Sequence, residues 1–191
     1  MNKETVDMIL GLTPVPTELE NLISIFRQHL SLDNNKLRED VVLSYLGYTP
    51  SFLGSGHPDG FKLDNTPVDN KSGPSIKFPD GGESIQKKKD WVCTVTEFSK
   101  TGQLLYIAEV LVSDIWNELI ISRDNQVSIN ADKDSKKSQR VSPEVTYNVW
   151  LNKPNTKIVY VNETLFPKTS RGEYRAQFGK IYESYSKNGL N

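Results

Sequence analysis

The segment 56–73, GHPDGFKLDNTPVDNKSG, holds two aspartates and a lysine at a spacing that suits metal-assisted phosphate chemistry. Asp69 and Lys71 are two residues apart, so on an extended strand the pleat turns both side chains to one face. Asp59 follows Pro58 directly and precedes a short strand candidate, Gly60–Leu63. A hairpin through Asp64-Asn65-Thr66, residues that favour turns, joins it to a second strand, Val68–Lys71, and brings Asp59 beside the Asp69/Lys71 pair. Mg²⁺ takes oxygen ligands and keeps several waters, so one or two carboxylates plus a substrate phosphate suffice to hold it. Such a metal lowers the pKa of a bound water and offsets charge on the reacting phosphate. A lysine on the same face orients that water or stabilises the developing charge. Nothing in the spacing makes Lys71 a general base.

The elements that must position these residues can be read from periodicity and turn chemistry. A capping-box pattern at Thr17 and Glu20 opens a helix whose apolar face is Leu19, Leu22, Ile23, Phe26 and Leu30. Asn34 or Asn35 caps a second helix, about 36–46, and Gly47 suits its left-handed end. Strands are expected at Trp91–Phe98 and Leu104–Val110, joined by a hairpin turn at 99–102, and again at Val145–Leu151 and Lys157–Val161. A helix is expected from near Ser113. Residues 122–142 read as a mobile polar loop, and Glu173 to about Lys187 as a final helix. No internal repeat or linker is visible, so the expectation is one α+β domain spanning 1–191.

Pro58-Asp59, nine intervening residues, then Asp69-Asn70-Lys71 resembles the signature of the PD-(D/E)XK nuclease superfamily, which includes type II restriction endonucleases, junction resolvases and repair nucleases. The element order also resembles that superfamily's restriction-endonuclease-like αβββαβ core, a mixed central sheet flanked by helices. The resemblance implies that Asp59 and Asp69 are metal ligands, that Lys71 is the catalytic lysine, and that the cofactor is Mg²⁺. Many members add an acid from the preceding helix. Glu39 is the favoured candidate over Asp40, because Glu39 shares its face with Val42, Leu43 and Leu46, where a carboxylate needs a compensating partner. Asn70 stands where the triplet usually carries an apolar residue. Either its side of the strand is hydrogen-bonded rather than packed, or 68–71 is a loop.

Competing readings belong beside this one. The segment could be a polar surface hairpin, with Asp64, Asn65 and Asp69 serving turns and Lys71 solubility. A calcium loop does not fit, because the spacing lacks the required Gly and distant Glu. Glu97 and Lys100 read as the charged end of a hairpin, and Glu109 as either an edge charge or a further site acid. Two histidines and one cysteine, Cys93, are poor material for a nucleophilic triad or zinc centre, and a lone cysteine forms no internal disulfide. The aromatic face of the final helix suits the core or a dimer interface.

A net charge of −1 neither supports nor excludes nucleic acid. The basic residues are gathered, however. Lys87, Lys88 and Lys89 form one run that could contact phosphate. Lys136, Lys137, Gln139 and Arg140 form another, with side chains that suit base edges in a major groove. No apolar run approaches the ~18 residues that span a bilayer, so the expectation is a cytoplasmic protein, prokaryotic or phage-encoded, with no membrane partner. The expected activity is Mg²⁺-dependent cleavage of double-stranded DNA by a homodimeric type II restriction enzyme. The alternatives are a structure-specific junction or repair nuclease, and a non-catalytic DNA-binding domain with a nuclease-like core.

Overall fold

The computed structural model describes residues 34–51, 53, 56–79, 83–98, 103–131, 141–164 and 172–187. The expected helix from Thr17 lies outside them. Helix α1 spans Asn34–Tyr45. It ends with two bonds that bracket its last turn, from the Tyr48 amide to the Leu43 carbonyl and from the Gly47 amide to the Ser44 carbonyl. That pairing needs a left-handed residue between, and Gly47 supplies it at φ 74°. Tyr48 then packs with Leu43.

The chain returns as β1, Thr49–Pro50, and β2, Gly60–Phe61, which pair antiparallel. β3, Pro67–Ser72, pairs antiparallel with β2. The turn between them is the expected one: Asn65 takes φ 65°, and the Thr66 amide donates to the Asp64 carboxylate at 3.0 Å. A crossover then carries β4, Ser75–Lys77, and a 3-10 helix, Glu83–Lys88. It leads to β5, Val92–Phe98, which runs parallel to β3. β6, Leu104–Leu111, and β8, Lys157–Val161, complete an antiparallel run, so the six-stranded mixed sheet has the order β1-β2-β3-β5-β6-β8. The fold is therefore α+β with a mixed central sheet and helices.

Each face of the sheet buries its own core. On one face Leu43 of α1 meets Val68 and Val92, and Val41 and Val42 meet Leu104 and Ile107. The other face, carrying Cys93, Val95, Ala108 and Val110, packs on Ile76, Phe78, Ile85, Ile115 and Leu119. The last two of these come from a 3-10 turn, Val112–Ile115, and helix α2, Trp116–Ala131.

Two expectations fail here. Residues 122–131 are helix rather than loop, although their side chains are mostly polar. Ser122 and Gln126, one turn apart, bond to the backbone that leads into β7, Glu144–Thr146. The Glu144 amide donates to Ser122 Oγ at 3.0 Å, and Gln126 both accepts from the Ser142 amide and donates to its carbonyl. Polar tethering thus extends the helix where an apolar stripe would otherwise be needed. Val145–Leu151 is not one strand: β7 gives way to α3, Tyr147–Trp150. That helical turn swings the fully buried Trp150 inward, where its indole donates to the Pro74 carbonyl at 3.0 Å. The last helix, α4, runs Gly172–Lys187 and seats Ile181 in the core. Among the described residues no helix is long and apolar enough to cross a membrane.

Candidate active site

Residues 68–71 lie within β3, so the strand required by the Asp69-Asn70-Lys71 triplet is present. Alternation turns Asp69 and Lys71 to the face of their β5 neighbours Cys93 and Val95, and Asn70 to the face of Thr94. Asn70 is hydrogen-bonded rather than packed: the fully buried Thr94 hydroxyl donates to Asn70 Oδ1 at 2.8 Å. A polar residue is tolerated there because the adjacent strand supplies its partner.

Asp59 is fixed at three points. Its amide donates to the Val68 carbonyl at 2.8 Å, its carbonyl accepts from the Ser51 amide at 2.7 Å, and its Oδ2 accepts from the Asn70 amide at 2.7 Å. This clamp needs β2 close against α1. Gly60 allows the approach, since a Cβ there would come within 2.8 Å of the Thr49 carbonyl oxygen and 2.9 Å of Leu43 Cδ1.

Burial, then the charge of Asp69, then that of Glu39, push the Asp59 carboxyl up to about 7, against the opposing Asn70 bond and Lys71 charge. Glu39 is thus an α1 acid whose charge bears on Asp59. Asp69 is 4 % exposed and accepts an ammonium on each oxygen, Lys71 on Oδ1 and Lys88 on Oδ2, the latter at 3.0 Å. Burial disfavours its charge, but the two lysines outweigh burial and hold the carboxyl below its usual range. Lys71, half-buried beside it, is raised: burial lowers it, and Asp69 more than compensates. Lys71 is therefore an ammonium, suited to stabilising negative charge and not to abstracting a proton. Burial also drives the Cys93 thiol far up, which removes it as a nucleophile.

Lys88 departs from expectation. It does not stand out for phosphate with its neighbours. It is 9 % exposed, its ammonium lies 5.1 Å from the Phe78 ring centroid and 4.9 Å from that of Trp91, and it belongs to the aspartate cluster. Lys87 and Lys89 are exposed as expected, and Lys89 lies over the Trp116 ring at 5.8 Å. Lys136, Lys137, Gln139 and Arg140 lie outside the described residues. Glu97 shares the Asp69 face, but four residues along β5 from Cys93 place it roughly 13 Å away. Glu109 is neither an edge charge nor part of the site. On the inner strand β6 it faces the opposite side of the sheet, where the Tyr48 hydroxyl donates to one oxygen and Lys62 bonds the other at 3.0 Å. A cleft of about 140 Å³ opens beside Glu109, lined also by Lys62, Leu111 and Lys157, and it contains none of the site aspartates.

Among the described residues no group of three or more His, Cys, Asp or Glu side chains could cage a metal ion. A magnesium site does not require one, since two carboxylates with water and phosphate are enough. Asp59 and Asp69 lie near enough for the charge of Asp69 to raise Asp59. Each Asp69 oxygen retains a lone pair beyond the ammonium it accepts. The upward push on Asp59 by its acidic neighbours is the strain that a dication would relieve. Carboxylate oxygens are the kind of donor that Mg²⁺ takes. No family model matches the chain, and no curated protein matches it significantly.

Proposed function

We propose that the protein is a metal-dependent phosphodiesterase acting on nucleic acid. More particularly, we propose a Mg²⁺-dependent endonuclease of the PD-(D/E)XK type that cuts double-stranded DNA, as a type II restriction enzyme does. One arrangement carries the reading: Asp69 and Lys71 form a bonded pair on one face of β3, the loop carboxylate of Asp59 is bonded to the Asn70 amide between them, and the charges of Asp69 and Glu39 bear on it. That is the residue set the DNA-cleaving chemistry needs, and a surface hairpin would leave it scattered and solvated.

Asp59 and Asp69 would hold the Mg²⁺, and the charge of Glu39 bears on Asp59. When bound, the metal supplies an acidified water and a counter-charge at the scissile phosphate. The chain's own residues do the rest. Asp59 is aimed by its clamped backbone and by the Asn70 amide. Lys71 stays protonated and offers its ammonium hydrogens to the phosphate oxygens as charge builds in the transition state. Lys87 and Lys89, exposed on the crossover, meet the backbone of the duplex. Cutting a palindrome would use two copies related by a two-fold axis, each severing one strand.

A second reading has its own support. The Asp69–Lys71–Lys88 cluster is charge-satisfied without a metal, as suits a domain that binds DNA and cuts nothing. Incubation with plasmid and with branched DNA separates the readings. Discrete plasmid fragments in Mg²⁺, lost in Asp69→Ala and Lys71→Ala, support restriction. Cutting of branched DNA alone supports a structure-specific nuclease. Absence of cleavage of either substrate in Mg²⁺ and in Mn²⁺ overturns the enzymatic reading.

A further inference from the structure

Resting on the endonuclease reading, we propose that Lys88 is a positioning residue that anchors Asp69 while Lys71 leaves it for the substrate phosphate. The two lysines that share Asp69 are not equivalent. Lys71 lies two residues from Asp69 on the same strand, so both side chains leave the sheet side by side, and the Lys71 side chain is the more exposed of the two. Lys88 arrives from the crossover, at the end of the 3-10 helix. Its ammonium lies within cation–π distance of the Phe78 and Trp91 rings and donates to Asp69 Oδ2 at 3.0 Å. Lys71 is over the Phe78 ring alone, at 4.9 Å.

A lysine that serves a phosphate must first release whatever it holds. If Lys71 were Asp69's only side-chain partner, its departure would leave nothing of the chain's own to fix a carboxylate that is 4 % exposed. A buried carboxylate oxygen needs such a partner far more than an exposed one does. Lys88 removes the difficulty, because Oδ2 stays bonded while Oδ1 becomes available. Lys88 thus does for Asp69 what an outer-shell partner does for a metal-bound carboxylate: it fixes the direction in which the free oxygen points.

The test uses the full chain as wild type, Lys88→Met, Lys88→Gln, Lys88→Arg and Lys71→Met, each checked for fold by circular dichroism. Mn²⁺ affinity is measured by calorimetry, and cleavage separately. The expected result is a split. Lys88→Met weakens Mn²⁺ binding about tenfold or more, the usual size of outer-shell losses, and Lys88→Arg restores most of it. Lys71→Met leaves Mn²⁺ affinity within about threefold while cleavage collapses. If Lys88→Met does not fold, Lys88→Gln carries the same expectation. A folded neutral variant that binds Mn²⁺ as well as wild type, or more tightly, overturns the role of Lys88 and leaves the nuclease reading intact. A wild type that binds no Mn²⁺ and cuts no DNA brings down both.

Discussion

Asp69 and Glu109 are both buried, both hydrogen-bonded on each carboxylate oxygen, and set on opposite faces of one sheet. They nevertheless move in opposite directions. Two ammonium groups on Asp69 overcome burial and hold it ionised. Glu109 shares its oxygens between a lysine and a phenol, and burial pushes it up, offset only in part by Lys157. A neutral donor satisfies a lone pair without replacing lost hydration energy; only charge does that. The Asp69 carboxylate is therefore held ionised between two ammonium groups. The Glu109 face is a balanced tie between the Tyr48 turn, the β2–β3 hairpin and β6, and holds the sheet together.

The comparison breaks most readily by removing each charge in turn. Asp69→Asn should destabilise the fold by about 3–5 kcal/mol, because it leaves two buried ammonium groups without an anion. Glu109→Gln keeps a hydrogen-bonding acceptor beside one half-exposed lysine and should cost only about 1 kcal/mol. Urea unfolding of both variants checks this, and equal losses would show that the faces do not differ. The next effect concerns pH. Because the Asp59 carboxyl is raised from 3.8 to about 7, the folded state holds its proton more tightly than the unfolded chain does. The resulting stabilisation is complete below pH ~4 and is lost as pH rises through about 7. With EDTA present, the melting temperature of wild type should fall across that window more than that of Asp59→Asn, and parallel curves would argue against a raised Asp59. A further pair of variants sharpens the boundary between the faces. Thr94→Val strands the Asn70 oxygen and should cost about 1–3 kcal/mol. Adding Asn70→Val should recover most of that, by turning a hydrogen-bonded cross-strand pair into a packed one.

Much of this architecture is legible in the residues. The hairpin, β3, the β5–β6 pair and β8 follow from alternation and from Asp64-Asn65-Thr66, because strands and turns are specified locally. Lys88 could not be separated from Lys87 and Lys89, since nothing local distinguishes three consecutive lysines. Its burial depends on Phe78, Trp91 and Asp69, which meet only once the crossover has closed. The polar half of α2 was hidden for the same reason: Ser122 and Gln126 find their partners at residues 142 and 144. Trp150 ends a strand-like alternation because one large side chain gains more from the core than from the pleat.

Gly60 gives the hairpin a different kind of importance. It offers no ligand, proton or charge, yet the smallest possible side chain there would come within 2.8 Å of a backbone oxygen. In a library of random substitutions, this position should be as intolerant as the acids themselves. A survey of loss-of-function variants would therefore mark, next to Asp59, a residue whose contribution is the atoms it lacks.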